Sequence, residues 1–305
     1  MFCAANILSA TAQSYEVLLV SRILAALGAA LYMPTASALA VSLVPDAQRG
    51  RALSIVTGGL TVAIVLGVPL GTWIGGYAGW RMTFWFVALL AIVALVGIRL
   101  WIPQVLTAKP VSWSIRMSLL RQPKIFFALT LTVLWTAGGF TVYSYLSPLL
   151  TQLTHLALPE IGWMLLLFGV ASVGGNFIGG YSADRWGTTA TMAIALVLLA
   201  AVFMTLSWSA MNVVTVALSI VLWGIAGWML TPPQQHRLIG FAPQIPGAIL
   251  GLNGSAIYLG MGIGSSLGGV VLQHAPIQWL SWIGGALEVL ALLTLLTTVA
   301  FRSDR

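Results

Sequence analysis

Two ionisable side chains interrupt long apolar runs, and they are the first places where chemistry could occur. Arg22 lies in LLVSRILAALGAA (residues 18–30), and Glu288 lies near the middle of the run 279–301. An unpaired carboxylate in apolar surroundings is heavily penalised, so Glu288 should be neutral or hydrogen-bonded. It could carry a proton, or it could be a structural acid bonded to a neighbouring helix; both readings are open. An arginine in the middle of hydrocarbon costs about 2.5–3.5 kcal/mol on insertion scales, and less where its side chain snorkels to an interface. Arg22 therefore either snorkels or faces a polar cavity, where it would favour the ionised form of a nearby carboxyl.

Other residues suit recognition rather than reaction. The stretch 125–150, IFFALTLTVLWTAGGFTVYSYLSPLL, mixes Trp135, Phe140 and Tyr143 with hydroxyls and glycines. Such a weakly polar, aromatic helix could line a cavity for an amphipathic solute. Aromatic rings near a membrane interface are equally ordinary belt residues. Asn253 and Tyr258 are candidates of the same kind, because a polar amide in lipid seeks a partner inside a bundle. Glycines recur at every fourth residue in three places: 67, 71, 75 and 79; 175 and 179; 260, 264 and 268. Each set clears a stripe of backbone for close helix contact. Pro69 removes a hydrogen bond from the first of these helices and can bend it.

The elements that position these residues follow from composition. Of 305 residues, 59% are hydrophobic and 6% are charged, against roughly 25% charged in a soluble domain. The mean hydropathy is +1.00. Most of the outer surface must face lipid, and soluble folds are excluded. The net charge of +7 carries no basic stripe with interleaved aromatics, so nucleic acid is not an expected partner. The fold class is all-α, a polytopic bundle of transmembrane helices.

A bilayer core about 30 Å thick takes about 20 helical residues to cross. Nine runs qualify: 17–44, 53–77, 82–102, 125–150, 161–183, 188–208, 211–231, 247–273 and 279–301. Residues 2–13 are apolar but too short to cross unaided. Residues 103–124 are basic and proline-punctuated, and suit a cytoplasmic linker between an N-terminal bundle (1–102) and a C-terminal six-helix bundle (125–305). On alternate sides of these spans, Arg49, Arg51, Arg99, Lys109, Arg116, Arg121, Lys124, Arg185, Arg237, Arg302 and Arg305 fall together, and Arg81 falls opposite. Positive residues collect in cytoplasmic loops, which places the C-terminus in the cytoplasm.

Three motifs resemble one family. The arginine-bearing run at 18–30 resembles the fourth-helix motif of drug/proton antiporters of the major facilitator superfamily, with Ala25 and Ala26 where Gln and Gly are common. GVPLGTWIGG (67–76), followed by GWR, resembles the fifth-helix antiporter motif, with Val68 between Gly67 and Pro69. It is most like the bacterial sugar and drug efflux branch that includes the arabinose and chloramphenicol exporters. GGNFIGGYSADRWG (174–187) resembles the superfamily's cytoplasmic loop signature through Gly180, Asp184, Arg185 and Gly187. Asp184 is also placed to interact with the free amides of a helix starting near Thr188.

The resemblance implies two six-helix halves, of which the first here lacks two helices and part of a third. It implies proton coupling through Arg22; Glu288 is a second candidate only by its own position within a span, since the family's last helix is usually peripheral to the pathway. Proton-coupled efflux of a small organic solute, a drug or sugar-like compound, by alternating access is the expected function. The protein would act as a monomer in a bacterial inner membrane. A non-transporting remnant or membrane interaction module is the alternative. The glycine stripes and Pro69 would serve packing and bending between moving helices.

Enzymatic chemistry is not expected. His155, His236 and His274 map to loops, and no acid, base and nucleophile cluster together. One cysteine, Cys3, provides no disulfide and no cysteine-based metal cluster. Neither a metal nor a cofactor is called for.

Overall fold

Chain buried in lipid has no water to satisfy its backbone, so each apolar run must close its hydrogen bonds internally as a helix. A computed structural model describes residues 1–45, 56, 59, 62–101 and 113–303, and these residues are helical nearly throughout. Eight helices among the described residues are long and apolar enough to cross a membrane. The chain divides into two compact units, Met1–Pro110 and Val111–Arg305.

The first unit contains α1 (Phe2–Thr11), α2 (Tyr15–Ser42), α3 (Val68–Ala78) and α4 (Trp80–Trp101). α1 packs against α2 and α4. The Ser14 hydroxyl starts α2 by accepting from the Val17 amide at 3.4 Å. A wider π-helical turn, Ala63–Gly67, leads into α3. Its cause is Pro69, which has no N–H for the Val65 carbonyl, so the ladder must re-register there. The expected run 53–77 lies partly outside the described residues.

Gly79 joins α3 to α4 as a single residue at φ 87° and ψ 152°. That backbone region is essentially closed to residues with a Cβ. The turn folds α4 back so that Thr83 lies against Gly71 and Gly75, with its hydroxyl donating to the Gly71 carbonyl at 3.1 Å. Gly79 therefore leaves the expected four-residue packing stripe and makes a reversal instead. Among the described residues, nothing lies within 4 Å of a Cβ built on Gly67.

The second unit runs α5 (Trp113–Leu120), α6 (Pro123–Tyr143), α7 (Leu146–Leu153), α8 (Leu158–Trp186), α9 (Thr188–Ser209), α10 (Val213–Met229), α11 (Thr231–Phe241), α12 (Pro246–His274) and α13 (Trp279–Ser303). Proline opens α6, α8, α11 and α12 in the first turn, where its missing N–H is not needed. Glu160 caps α8 by accepting from the Ala157 amide at 2.7 Å, and Asn212 caps α10 by accepting from Val214 at 2.8 Å.

The glycine stripes are contact seams inside this unit. A Cβ on Gly264 would fall on the Ala137 carbonyl of α6, and one on Gly260 or Gly268 would meet Thr136 or Tyr145. Gly175 and Gly179 of α8 press in the same way on the backbone of Ile225 and Met229 of α10.

Two expected spans are corrected. The run 125–150 is two helices, because Pro148 has no N–H for the Ser144 carbonyl. The Tyr145 hydroxyl fixes the turn by donating to the Ser265 carbonyl at 2.8 Å. The run 211–231 extends as helix through Phe241, α10 passing to α11 at Leu230 with Pro232 and Pro233 just beyond. His236 and Arg237 thus lie on α11 rather than in a loop, and Arg237 donates to the Thr298 hydroxyl of α13.

Hydroxyls are mostly satisfied at home. Thr136, Thr141, Ser172, Thr205, Ser255 and Thr294 each donate to the carbonyl four residues back, at 2.7–3.1 Å.

Candidate functional site

In the first unit, Arg22 sits on α2 next to a buried polar seam. Ser9 and Ser21 hydroxyls meet at 2.7 Å between α1 and α2, and Asn6 is buried beside them. The Arg22 guanidinium donates to the Asn6 side-chain oxygen at 3.4 Å and lies 5.2 Å from the centroid of the Phe84 ring on α4. Its partners in this unit are an amide and a ring, and the side chain stays exposed. Arg81 is also held at its base, donating to the Ala12 carbonyl at 2.9 Å and stacking 4.2 Å from the Trp80 ring.

In the second unit, Phe140 and Tyr143 belong to an aromatic cluster. Tyr143 lies 5.5 Å from Phe140, 5.2 Å from Phe168 of α8 and 6.0 Å from Trp223 of α10, ring centre to ring centre. Trp223 continues to Phe203 of α9 at 5.0 Å. Four helices thus contribute to one set of mostly edge-on rings, the geometry aromatic pairs prefer. Trp135 is half-buried on the same helix as Phe140.

Asn253 and Tyr258, grouped together in the sequence, are separated. Asn253 is 4% exposed, and its side-chain oxygen accepts from the Thr132 hydroxyl at 2.9 Å. Gln234 of α11 completes the chain, its Nε2 donating to the Thr132 hydroxyl at 2.8 Å and to the Ala128 carbonyl at 2.7 Å. Tyr258 is 64% exposed on the opposite face of α12, with Gly262, Ile263 and Ser266 beside it. Glu288 is fully buried on α13, and neither of its oxygens has a hydrogen-bond partner. Among the described residues no three His, Cys, Asp or Glu side chains gather where a metal could sit.

A helical bundle with buried amides, an aromatic cluster and glycine seams is compatible with many membrane proteins, and comparison with known families decides among them. The model of the Major Facilitator Superfamily matches residues 1–245 and 129–305. The chain belongs to the Major Facilitator Superfamily. It is a multi-pass membrane transporter by that membership, and not an enzyme.

Among relatives, the inner membrane transport protein YdhP of Escherichia coli (strain K12) is 34% identical over 273 residues, spanning 90% of this chain and 70% of YdhP. A probable sugar efflux transporter of Helicobacter pylori (strain G27) is 29% identical over 310 residues, spanning 99% of this chain and 77% of that protein. The fold is similar to the crystal structure of the human organic anion transporter MFSD10, with a TM-score of 0.68 and 20% identity over 96% of this chain and 74% of that one.

Within this superfamily member, the loop signature is placed as follows. Asp184 and Arg185 are exposed in the last turn of α8, where Arg185 donates to the Tyr181 hydroxyl at 3.1 Å. Gly187 alone separates α8 from α9 at φ 85° and ψ 156°. Asp184 does not cap α9: the residue at the cap is Gly187, with no side-chain hydrogen bond to the first amides. Asp184 lies inside α8, which ends only at Trp186. Gly180 stands nearby with nothing within 4 Å of a Cβ built there.

Sequence reasoning missed Thr132, Gln234, Phe168, Phe203 and Trp223. Gln234 left a trace, an amide after Pro232–Pro233 at the end of an apolar run. The rings left none, because an isolated aromatic in a lipid-facing sequence is ordinary. Thr132→Val is expected to destabilise the transporter by about 1–2 kcal/mol, because the Asn253 oxygen then stays buried without a donor. Unfolding in mixed detergent measures this, with Thr132→Ser near wild type.

Proposed function

We propose that this transporter exports a small organic solute, drug-like or sugar-like, in exchange for protons by alternating access. The observation that carries this reading is the likeness, along 99% of the chain, to a probable sugar efflux transporter. The efflux-branch motifs at 67–81 support it. The chain works as a monomer in the bacterial inner membrane, with the C-terminus cytoplasmic, on the distribution of lysine and arginine.

In this reading the solute meets the half-buried faces of Trp135, Phe140 and Tyr143 and the exposed Tyr258, which offer ring stacking, with a polar handle on the tryptophan and the tyrosines. Arg22 governs proton exchange from its station between Asn6 and Phe84. The glycine seams and Pro69 serve the movement of helices between the two access states. Asp184 and Arg185 belong to the cytoplasmic loop signature.

The test is transport in vesicles containing the purified chain, with an imposed pH gradient and a panel of drugs and sugars. Movement of at least one compound with a matched proton flux is expected; a folded sample showing neither overturns the reading. Arg22→Ala is expected to abolish coupling while the protein remains folded, read as loss of compound-driven proton flux. Full coupling in that variant removes Arg22 from the mechanism.

A further inference from the structure

Glu288 sits in a notch built by two glycines where α13 crosses α6. A Cβ on Gly138 would lie 2.6 Å from the Glu288 Oε1 and 2.9 Å from the Gly284 carbonyl oxygen. A Cβ on Gly284 would lie 3.0 Å from the Gly138 carbonyl oxygen and 2.9 Å from the Val142 side chain. A side chain at Gly138 would displace the carboxyl, and one at Gly284 would press on the Gly138 carbonyl and Val142, so the two glycines let the backbones close around the acid.

Among the described residues, the surroundings offer no charge to match an ionised acid. α9, packed on the other side of α13, carries no titratable residue. α6 carries Lys124 in its first turn, at the far end from Gly138, and Tyr143, whose ring packs on Phe168 and Trp223. α12 carries the exposed Tyr258 and, in its last turn, His274. Arg237 of α11 reaches α13 at Thr298, toward the end of that helix. An ionised carboxylate with no donor and no cation beside it is the costliest group a membrane interior can hold.

We propose that this notch is a proton-binding site: Glu288 holds a proton while α13 is seated on α6, and loss of that proton unseats the helix. The site belongs to the packing of one unit and does not rest on proton-coupled efflux. Seating keeps the acid neutral, and ionisation becomes favourable when α13 separates and water reaches the carboxyl.

The experiment compares reversible unfolding of the whole chain and of Glu288→Gln in mixed detergent between pH 6 and 9. On this proposal the seated acid keeps its proton across that range, whereas a free glutamate ionises near pH 4.3 and the unfolded chain has already shed it. The ratio of the wild-type to the variant unfolding constant is expected to rise about tenfold per pH unit. A ratio that stays constant overturns the proposal. Should Glu288→Gln fail to fold, infrared spectroscopy of wild type labelled with ¹³C-glutamate decides at pH 8. Glu16 and Glu160, the two other glutamates, are both exposed, so a persisting band of a protonated acid supports the site. Carboxylate bands alone overturn it.

Discussion

Gly264→Val is expected to leave little folded transporter, destabilising it by about 3 kcal/mol, the upper end of the usual cost of overpacking. At most positions an added methyl group displaces a flexible side-chain end. Here the Cβ would land on the carbonyl, Cα and carbonyl carbon of Ala137, all backbone of α6. The seam can accept valine only by moving two helices apart along the contacts that Gly260 and Gly268 also make, which also breaks the bond from Thr141 to the Gly264 carbonyl at 3.2 Å. Gly262→Ala on the exposed face of the same helix, with nothing within 4 Å of its Cβ, is the control. It is expected to stay within about 1 kcal/mol of wild type, since alanine is the better helix former. Equal stability of the two variants in mixed-detergent unfolding would contradict the seam.

Gly187→Ala has the next largest expected effect, a loss of about 2 kcal/mol. The strain is in the backbone, because φ 85° with ψ 156° is a conformation that costs roughly 1–3 kcal/mol for a residue with a Cβ. Space is not the difficulty, as nothing lies within 4 Å of the added atom. The two sources of cost therefore separate cleanly: Gly264 is needed for room and Gly187 for rotation. Gly79, at nearly the same dihedral angles, predicts a matching loss in Gly79→Ala. Thermal unfolding of the three variants side by side checks the ranking.

The helical class and most spans were legible because lipid demands long apolar runs with closed backbone bonds, and Trp80–Trp101, Thr188–Ser209 and Pro246–His274 fall close to their expected limits. Helix ends were less legible where a distant group sets them. The break after Tyr143 follows from Pro148, but the turn is held by Ser265, far along the chain, whose carbonyl receives the Tyr145 hydroxyl. The continuation past Leu230 ran against the usual meaning of two prolines, since both fall in the first turn of α11, where their missing donors cost nothing. For the site, a spacing of four identified the glycines but not their partners. Glycine periodicity specifies a stripe on one helix, and which neighbour fills it is a property of the assembled bundle. Asn253 was found as a buried amide in need of a partner, whereas Thr132, which donates to it, and Gln234, which donates to Thr132, came only with the folded chain.

The self-contained hydroxyls bear on how the protein is made. A threonine that already donates to its own helix, as Thr191 and Thr205 of α9 do, brings no unpaired donor into the bilayer, whereas Ser207 of the same helix meets Ser281 of α13. Asn253, Gln234 and Glu288 have no such local remedy, and the helices that bear them gain from waiting for α6. Late arrival of α11 to α13 beside an early α6 would make the order of synthesis also the order in which these groups find shelter.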